Sequence, residues 1–370
     1  MASDIRSALT LLSQTCALSI AAITTKSDAQ ELPLTTLRAD FISLLSVLYS
    51  NTTKLSIALN PSKPAYSAAL LPLKDLVSHS STLASNASLF LPRVHGRALT
   101  AEVHSTAKSV LTALQELAHA HLALLTHPTT PTPTPTTTVD AAAPGPRPKN
   151  GNDVYLAKTG VVHELISQAK ANPPDGLSVT NLIAVRKRWR EHTEIIDDAV
   201  AVLGIEADPP DDDDGNGFDD GWHDPELDSD PGEQSPEQIA LAKTLLSIVE
   251  RTSALFHDVR GALLPPLRAP AQTPPNALLD DLLDSAPPLV AAVDNLATQI
   301  YGAPDDPSSL HESRDSFARA LTSVAIAVKA FWKGKEDTRP ASKKGSRAYF
   351  VEQFAQLNAA VEALQWTIIT

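Results

Sequence analysis

The chain has 370 residues, 43 acidic and 30 basic side chains, a net charge of −13 and a single cysteine, Cys16. The length allows two or three domains with a sizeable core. The lone cysteine excludes an intramolecular disulfide and fits a reducing compartment. No run of about 18 residues is free of polar interruptions, so no membrane span is expected. Aromatics make up only 5% and the apolar residues are mainly Leu, Ala, Val and Ile, a composition that suits helix-on-helix packing.

In chain order, Ile5, Leu9, Leu12, Cys16, Ile20 and Ile23 fall on one stripe and predict an amphipathic first helix rather than a secretory signal. A second helix is expected from about Leu34 to Leu59, through Leu37, Phe41, Leu45 and Leu48, ending at Asn60-Pro61. A third runs from about Leu70 to Phe90 and a fourth from Arg97 to Thr126. Long amphipathic helices with short connections predict an antiparallel bundle. His127 to Gly151 alternates Thr and Pro, which favours an extended, semi-rigid linker or insertion rather than helix or inner strand.

Helix resumes from about Asp153 to Ala171. The next helix, from Ser178, carries Leu182, Val185, Trp189, His192, Ile196, Ala199 and Leu203 at alternating spacings of three and four, with Gly204 as its expected cap. Ser235-Pro236-Glu237-Gln238 reads as a helix start: a capping Ser, Pro at the first helical position and Gln three residues on. That helix should reach Gly261. Asn276 to Ile300 is expected to be broken or bent at Pro287-Pro288, Ser309 to Trp332 to be helical, and a last helix to start at about Ser346. No segment alternates at period two, so the expected fold is all-α: about ten helices in two antiparallel bundles, residues 1–205 and 234–370, joined through 206–233.

That joining segment holds thirteen Asp or Glu and no Lys or Arg; removing them from the 43 leaves 30, equal to the basic residues. Like charges repel and little apolar surface is available to bury, so the segment is expected to be a solvated, disordered loop. Phe218 and Trp222 within it point beyond solubility, to partner binding. Asp212, Asp214, Asn216, Gly217 and Asp220 follow the start of a calcium loop, but His223 stands where a bidentate Glu must close the shell.

Other catalytic and metal patterns fail in the same way. His163-Glu164 begins a zinc motif whose second histidine is Ser167. Histidines at 119 and 121 point apart on a helix, and the carboxylates around Gly215, Gly217 and Gly221 would repel phosphate. No catalytic residue, cofactor or metal follows, and the chain is read as a non-enzyme. Arg186, Lys187, Arg188 and Arg190 form the sharpest basic cluster, on the wet side of the Trp189 helix. A nuclear-import signal or a nucleic-acid contact would use the same residues, but a charge of −13 opposes direct DNA binding. Together with Asp211, Asp212, Asp213, Asp214, Phe218 and Trp222 they are the candidate partner-binding residues.

The order of a turn at Asn172 to Gly176, the helix VRKRWREHTEIIDDAV, an Asp-rich run ending near Trp222, a Ser-Pro-Glu helix start, and Val293-Asp294-Asn295-Leu296-Ala297 to Ile300-Tyr301 with Pro304 behind it resembles the cyclin-D-binding protein family of helix-loop-helix-like cell-cycle regulators. Leu89 to Pro92 matches more weakly. The resemblance implies an all-helical interaction protein of cytoplasm and nucleus. Its partners would be cyclin-like and helix-loop-helix-like regulators, and it would restrain cell-cycle progression and transcription. It brings no catalytic residue, and no basic region precedes a helix-loop-helix here, so no direct nucleic-acid role is carried over. A cytoskeletal or adhesion-type helical adaptor is the alternative. Isothermal titration of the intact chain with millimolar calcium should give no binding heat; a saturable isotherm would restore the calcium loop.

Overall fold

The structure, a computed structural model, describes residues 1–23, 32–126, 151–172, 175–208, 236–265, 273–300, 307–333 and 343–364. Every regular element among the described residues is helix. There are eleven: α1 Ala2–Ala22, α2 Leu34–Ala58, α3 Tyr66–Ser88, α4 Pro92–His95, α5 Arg97–Thr126, α6 Gly151–Lys170, α7 Asn181–Ala207, α8 Pro236–Ala262, α9 Asn276–Thr298, α10 Pro307–Ala330 and α11 Arg347–Ala363. The all-α expectation holds. Residues 127–150 of the Thr/Pro-rich stretch and 209–233 of the acidic segment, with Asp211, Asp212, Asp213, Asp214, Phe218 and Trp222, lie outside the described residues.

The helices fall into two compact units, Met1–Ala184 and Val185–Thr370. The division lies inside α7 rather than in the acidic segment where the sequence placed the joint. From just past that point α7 is joined to α8, through Trp189 and the polar contacts described below.

In the first unit α1 packs on α3 and α5, α2 on α3 and α6, and α5 on α6, which closes a ring of five long helices. Side-chain pairs show that three of these contacts are antiparallel. Arg6 Nη2 donates to Leu125 O (3.3 Å) while Ser13 Oγ meets His119 Nε2 (2.7 Å), so α1 and α5 run oppositely. Ser56 Oγ meets Thr159 Oγ1 (2.7 Å) and Thr53 Oγ1 meets His163 Nε2 (3.1 Å), which sets α6 against α2. Lys158 to Glu116 (2.6 Å) and Tyr155 beside His121 (5.1 Å between ring centroids) do the same for α6 and α5.

The predicted stripe of α1 is the buried one: Ile5, Leu9, Leu12, Cys16 and Ile23 are at most 1% exposed, although Ile20 is only half-buried. By length and composition alone α1 could cross a membrane, and in this unit that apolar stripe is core. Burial pushes the Cys16 thiol up to about 11, against a weaker opposing effect of its hydrogen bond to Ser80 Oγ, so it packs as an inert small hydrophobe. Asn51-Thr52-Thr53 and Asn86-Ala87-Ser88 match the pattern of a glycosylation sequon, but Asn51 and Asn86 are buried within helices.

At Gly96 the chain turns from α4 into α5 with φ +90, and a Cβ there would fall 2.0 Å from the Asn181 side chain. Only glycine fits. The approach is used: Asn181 Oδ1 accepts from the backbone N–H of Leu99 (3.1 Å), satisfying a free donor in the first turn of α5.

In the second unit α9 packs on α8 and α10, and α11 on α8 and α10. The expected break at Pro287-Pro288 does not occur, for α9 runs through both prolines. The two rings lie on the exposed side, while Leu279, Leu282, Ala286, Leu289, Val290, Val293 and Leu296 are buried along the other. Burying large side chains at about 1.5–3 kcal/mol each outweighs the roughly 3 kcal/mol cost of a proline in a helix interior. Likewise α7 continues past Gly204 to Ala207; nothing lies near that glycine and no tertiary contact ends the helix there. Ser346 caps α11, its Oγ accepting from Tyr349 N (3.1 Å).

His121 on α5 is 2% exposed, and its Nε2 has no hydrogen-bond partner. Burial lowers its pKa from 6.5 to about 4. Above 6.5 the imidazole is neutral in both folded and unfolded chains. As pH falls from there towards 4, the unfolded chain takes up a proton that the folded site refuses, so stability is lost, by up to about 3 kcal/mol. Urea unfolding between pH 7 and 4.5 should show this loss, and His121→Leu should flatten part of it; an unchanged pH slope in the variant would refute the assignment.

Candidate partner-binding surface on α7

From Val185 on, α7 is built around Trp189. Its indole is fully buried, stacks on Phe256 of α8 (centroids 4.6 Å, interplanar angle 22°) and donates from Nε1 to the Phe256 carbonyl (3.0 Å). A buried indole needs such an acceptor, since an unmet N–H would cost about 1–3 kcal/mol. One turn earlier Arg186 Nη1 donates to Arg260 O (3.1 Å) and to Leu264 O, filling carbonyls that the end of α8 leaves free. Burial, and then the charge of Arg260, lowers the pKa of Arg186. Two turns later Asp197 accepts from Ser253 Oγ (2.5 Å) and meets His257 Nε2 (3.1 Å). Pairing 186 with 260, 189 with 256 and 197 with 253 makes α7 and α8 antiparallel.

Hydrogen bonds bring Ser253, Asp197 and His257 together. The carboxylate is in the middle, whereas nucleophilic chemistry needs the imidazole beside the hydroxyl. The trio clasps two helices. Among the described residues no group of three His, Cys, Asp or Glu is placed to hold a metal. His163 instead stacks on Tyr49 (4.0 Å, 23°), and burial lowers its pKa.

The basic cluster divides. Arg186 is engaged by α8 as above. Arg188 is exposed and Arg190 half-buried, and they pair with Glu191 (3.2 Å) and Glu194 (3.4 Å) along their own helix. Such surface pairs are worth about 0.3–0.5 kcal/mol and open easily to a partner. Lys187 is half-buried. Burial lowers the pKa of His192, Glu191 opposes that, and Arg188 adds to it. Of the expected stripe, Leu182, Val185, Trp189, Ile196 and Leu203 are buried, while His192 and Ala199 are only half-buried and Thr193 takes a core place.

Sequence reasoning missed a second apolar row. Ile195, Val202 and Ile205 are 49%, 45% and 64% exposed. Their spacing of seven and three puts them on one side of α7, away from Ile196, Leu203 and Ala207. The signal was in the helical period, masked by the stronger core stripe. Just before α11, Lys344 Nζ reaches Asp258 (2.7 Å), which also accepts from the Tyr349 hydroxyl (2.5 Å). Burial first, and then Asp258, pushes that phenol up to about 12.

The model of a family described as Grap2 and cyclin-D-interacting, N-terminal, matches residues 40–203. Over that stretch the chain is similar to this family. The match takes in α7 through Leu203, with Arg186, Lys187, Arg188, Arg190, Ile195 and Val202. It does not reach the Val293 to Ile300 segment that also carried the resemblance. The family is described by proteins its members interact with and not by a reaction, which gives a protein-interaction role. A search of the curated proteins finds no match to the chain.

Arg186→Met should destabilise the fold by about 1–3 kcal/mol in chemical denaturation, because it orphans carbonyls at the end of α8. Arg188→Ala and Arg190→Ala should each change it by less than about 0.5 kcal/mol. Equal costs at the three positions would contradict the division of the cluster.

Proposed function

We propose that the chain is a non-enzymatic regulator that captures cyclins or transcription factors and restrains cell-cycle progression in cytoplasm and nucleus. The observation that carries this reading is the cyclin-D-interacting family match over residues 40–203. Two features support it: the exposed side of α7, and the acidic run from Asp211 to Asp214 with Phe218 and Trp222, which follows α7 in the sequence and is rich in charge with two aromatic residues. Exposed charge steers association, and apolar and aromatic side chains hold the complex.

Titration of the full chain against a purified D-type cyclin should give saturable binding that weakens with salt. Deleting residues 211–230 should lower both the affinity and its salt dependence. No binding to a cyclin, together with recovery of actin or adhesion adaptors from extract, would replace this reading with that of a cytoskeletal adaptor. If the deletion alone has no effect, the acidic segment is only a solubilising tether.

A further inference from the structure

The carboxyl-terminal half of α7 exposes an apolar row that the fold does not use. Ile195, Val202 and Ile205 stand 49%, 45% and 64% exposed, while Ile196, Leu203 and Ala207 of the same turns are buried. A helix that packs against one neighbour needs one apolar stripe, and this one carries two. The rim of the second stripe is of one sign. Glu194, Asp198 and Asp208 are exposed beside it, and from Glu191 to Asp208 the sequence has six carboxylates and no Lys or Arg.

The placement of that charge is unfavourable for the helix itself. The carbonyl end of a helix carries a partial negative charge and is stabilised by cations. The last turn of α7 has no basic residue. A cationic ligand would meet the partial negative charge of that helix end and cover the apolar row at once. From Glu194 to Asp208 the face is roughly 21 Å long, enough for three to four turns of a second helix.

We propose that the exposed face of α7 around Ile195, Val202 and Ile205 docks a basic amphipathic helix of a partner protein. The inference rests on the protein-interaction reading and gives it a place and a partner chemistry. Apolar side chains three, four and seven apart on the ligand helix would lie over the row, as helix-in-groove recognition requires, and flanking Lys or Arg would meet Glu194, Asp198 and Asp208. A second copy of this helix is a poorer occupant, because Arg188 and Arg190 are already paired to Glu191 and Glu194.

The test uses the full chain and a fluorescein-labelled idealised helix of about 18 residues with Leu at helical spacing and Lys and Arg flanks, long enough to span the face. A control peptide has the same Leu row with Glu flanks. The basic peptide should bind saturably in fluorescence anisotropy and the acidic one should not. Raising salt from about 0.05 to 0.3 M should weaken binding several-fold, since the rim is solvent-exposed. The double variant Val202→Ser, Ile205→Ser removes surface side chains only and should keep its circular dichroism while losing at least about tenfold in affinity. Glu194→Gln with Asp198→Asn should reduce the salt dependence.

No binding of the basic peptide, or equal binding of the acidic one, would overturn the proposal. So would binding that survives the double serine variant but is lost on deleting residues 211–230, since the acidic segment would then be the site. Concentration-dependent dimerisation abolished by the same serines would assign the face to a second copy and also overturn it. Cyclin titration of the same proteins keeps the two readings apart: cyclin binding with no peptide binding sinks only the docking face, and the reverse sinks only the cyclin reading.

Discussion

The seat of Trp189 on α8 is the contact from which the arrangement around α7 follows. An indole in a helix removes roughly 200 Å² from water, worth about 5 kcal/mol, and its N–H must find an acceptor. The Phe256 carbonyl and ring supply both needs. Once Trp189 is fixed, the helical period dictates what else faces α8: Arg186 one turn before, and Thr193, Ile196 and Asp197 in the turns after. Arg186 then reaches the end of α8 and Asp197 reaches Ser253 and His257. The same period decides what faces away, and there Arg188, Glu194, Ile195, Val202 and Ile205 remain.

The charge on α7 changes sign along its length. Its first ten residues carry four basic residues, and from Glu191 its Asp, Glu, Lys and Arg residues are all acidic, leading towards the Asp-rich run. The arginines that face outward are neutralised by the carboxylates one turn on, so the outward face ends as a negative field around an apolar row. In general, exposed charge of one sign steers association and apolar burial holds a complex together.

In the first unit the histidines that a sequence search gathers as metal candidates are spent on packing. His119 holds α1 at Ser13, His163 stacks between α6 and α2, and His121 fills the space beside Tyr155. Each meets a different helix, so proximity in sequence scattered them in space. Residues two apart on a helix diverge by more than half a turn, which is why His119 and His121 never shared a site.

The positions of the helices were legible in the sequence because they are local: the 3.6-residue period of Leu, Ile, Val and Phe marks the core stripe, and Pro61 and Pro236 mark ends whatever the rest of the chain does. The stripes of α1 and α7 were read almost residue for residue, and the excess charge was located to one segment. What local rules could not decide was anything that depends on a distant neighbour. Pro287 and Pro288 stay within α9 because seven side chains on its other side are buried by other helices, and α7 passes Gly204 without stopping. Arg186 and Arg188 look alike in sequence, but α8 recruits one and leaves the other to solvent. The second apolar row of α7 likewise becomes a surface only once the fold has chosen the Trp189 side to bury, a choice made by the carbonyl and ring of Phe256, 67 residues away.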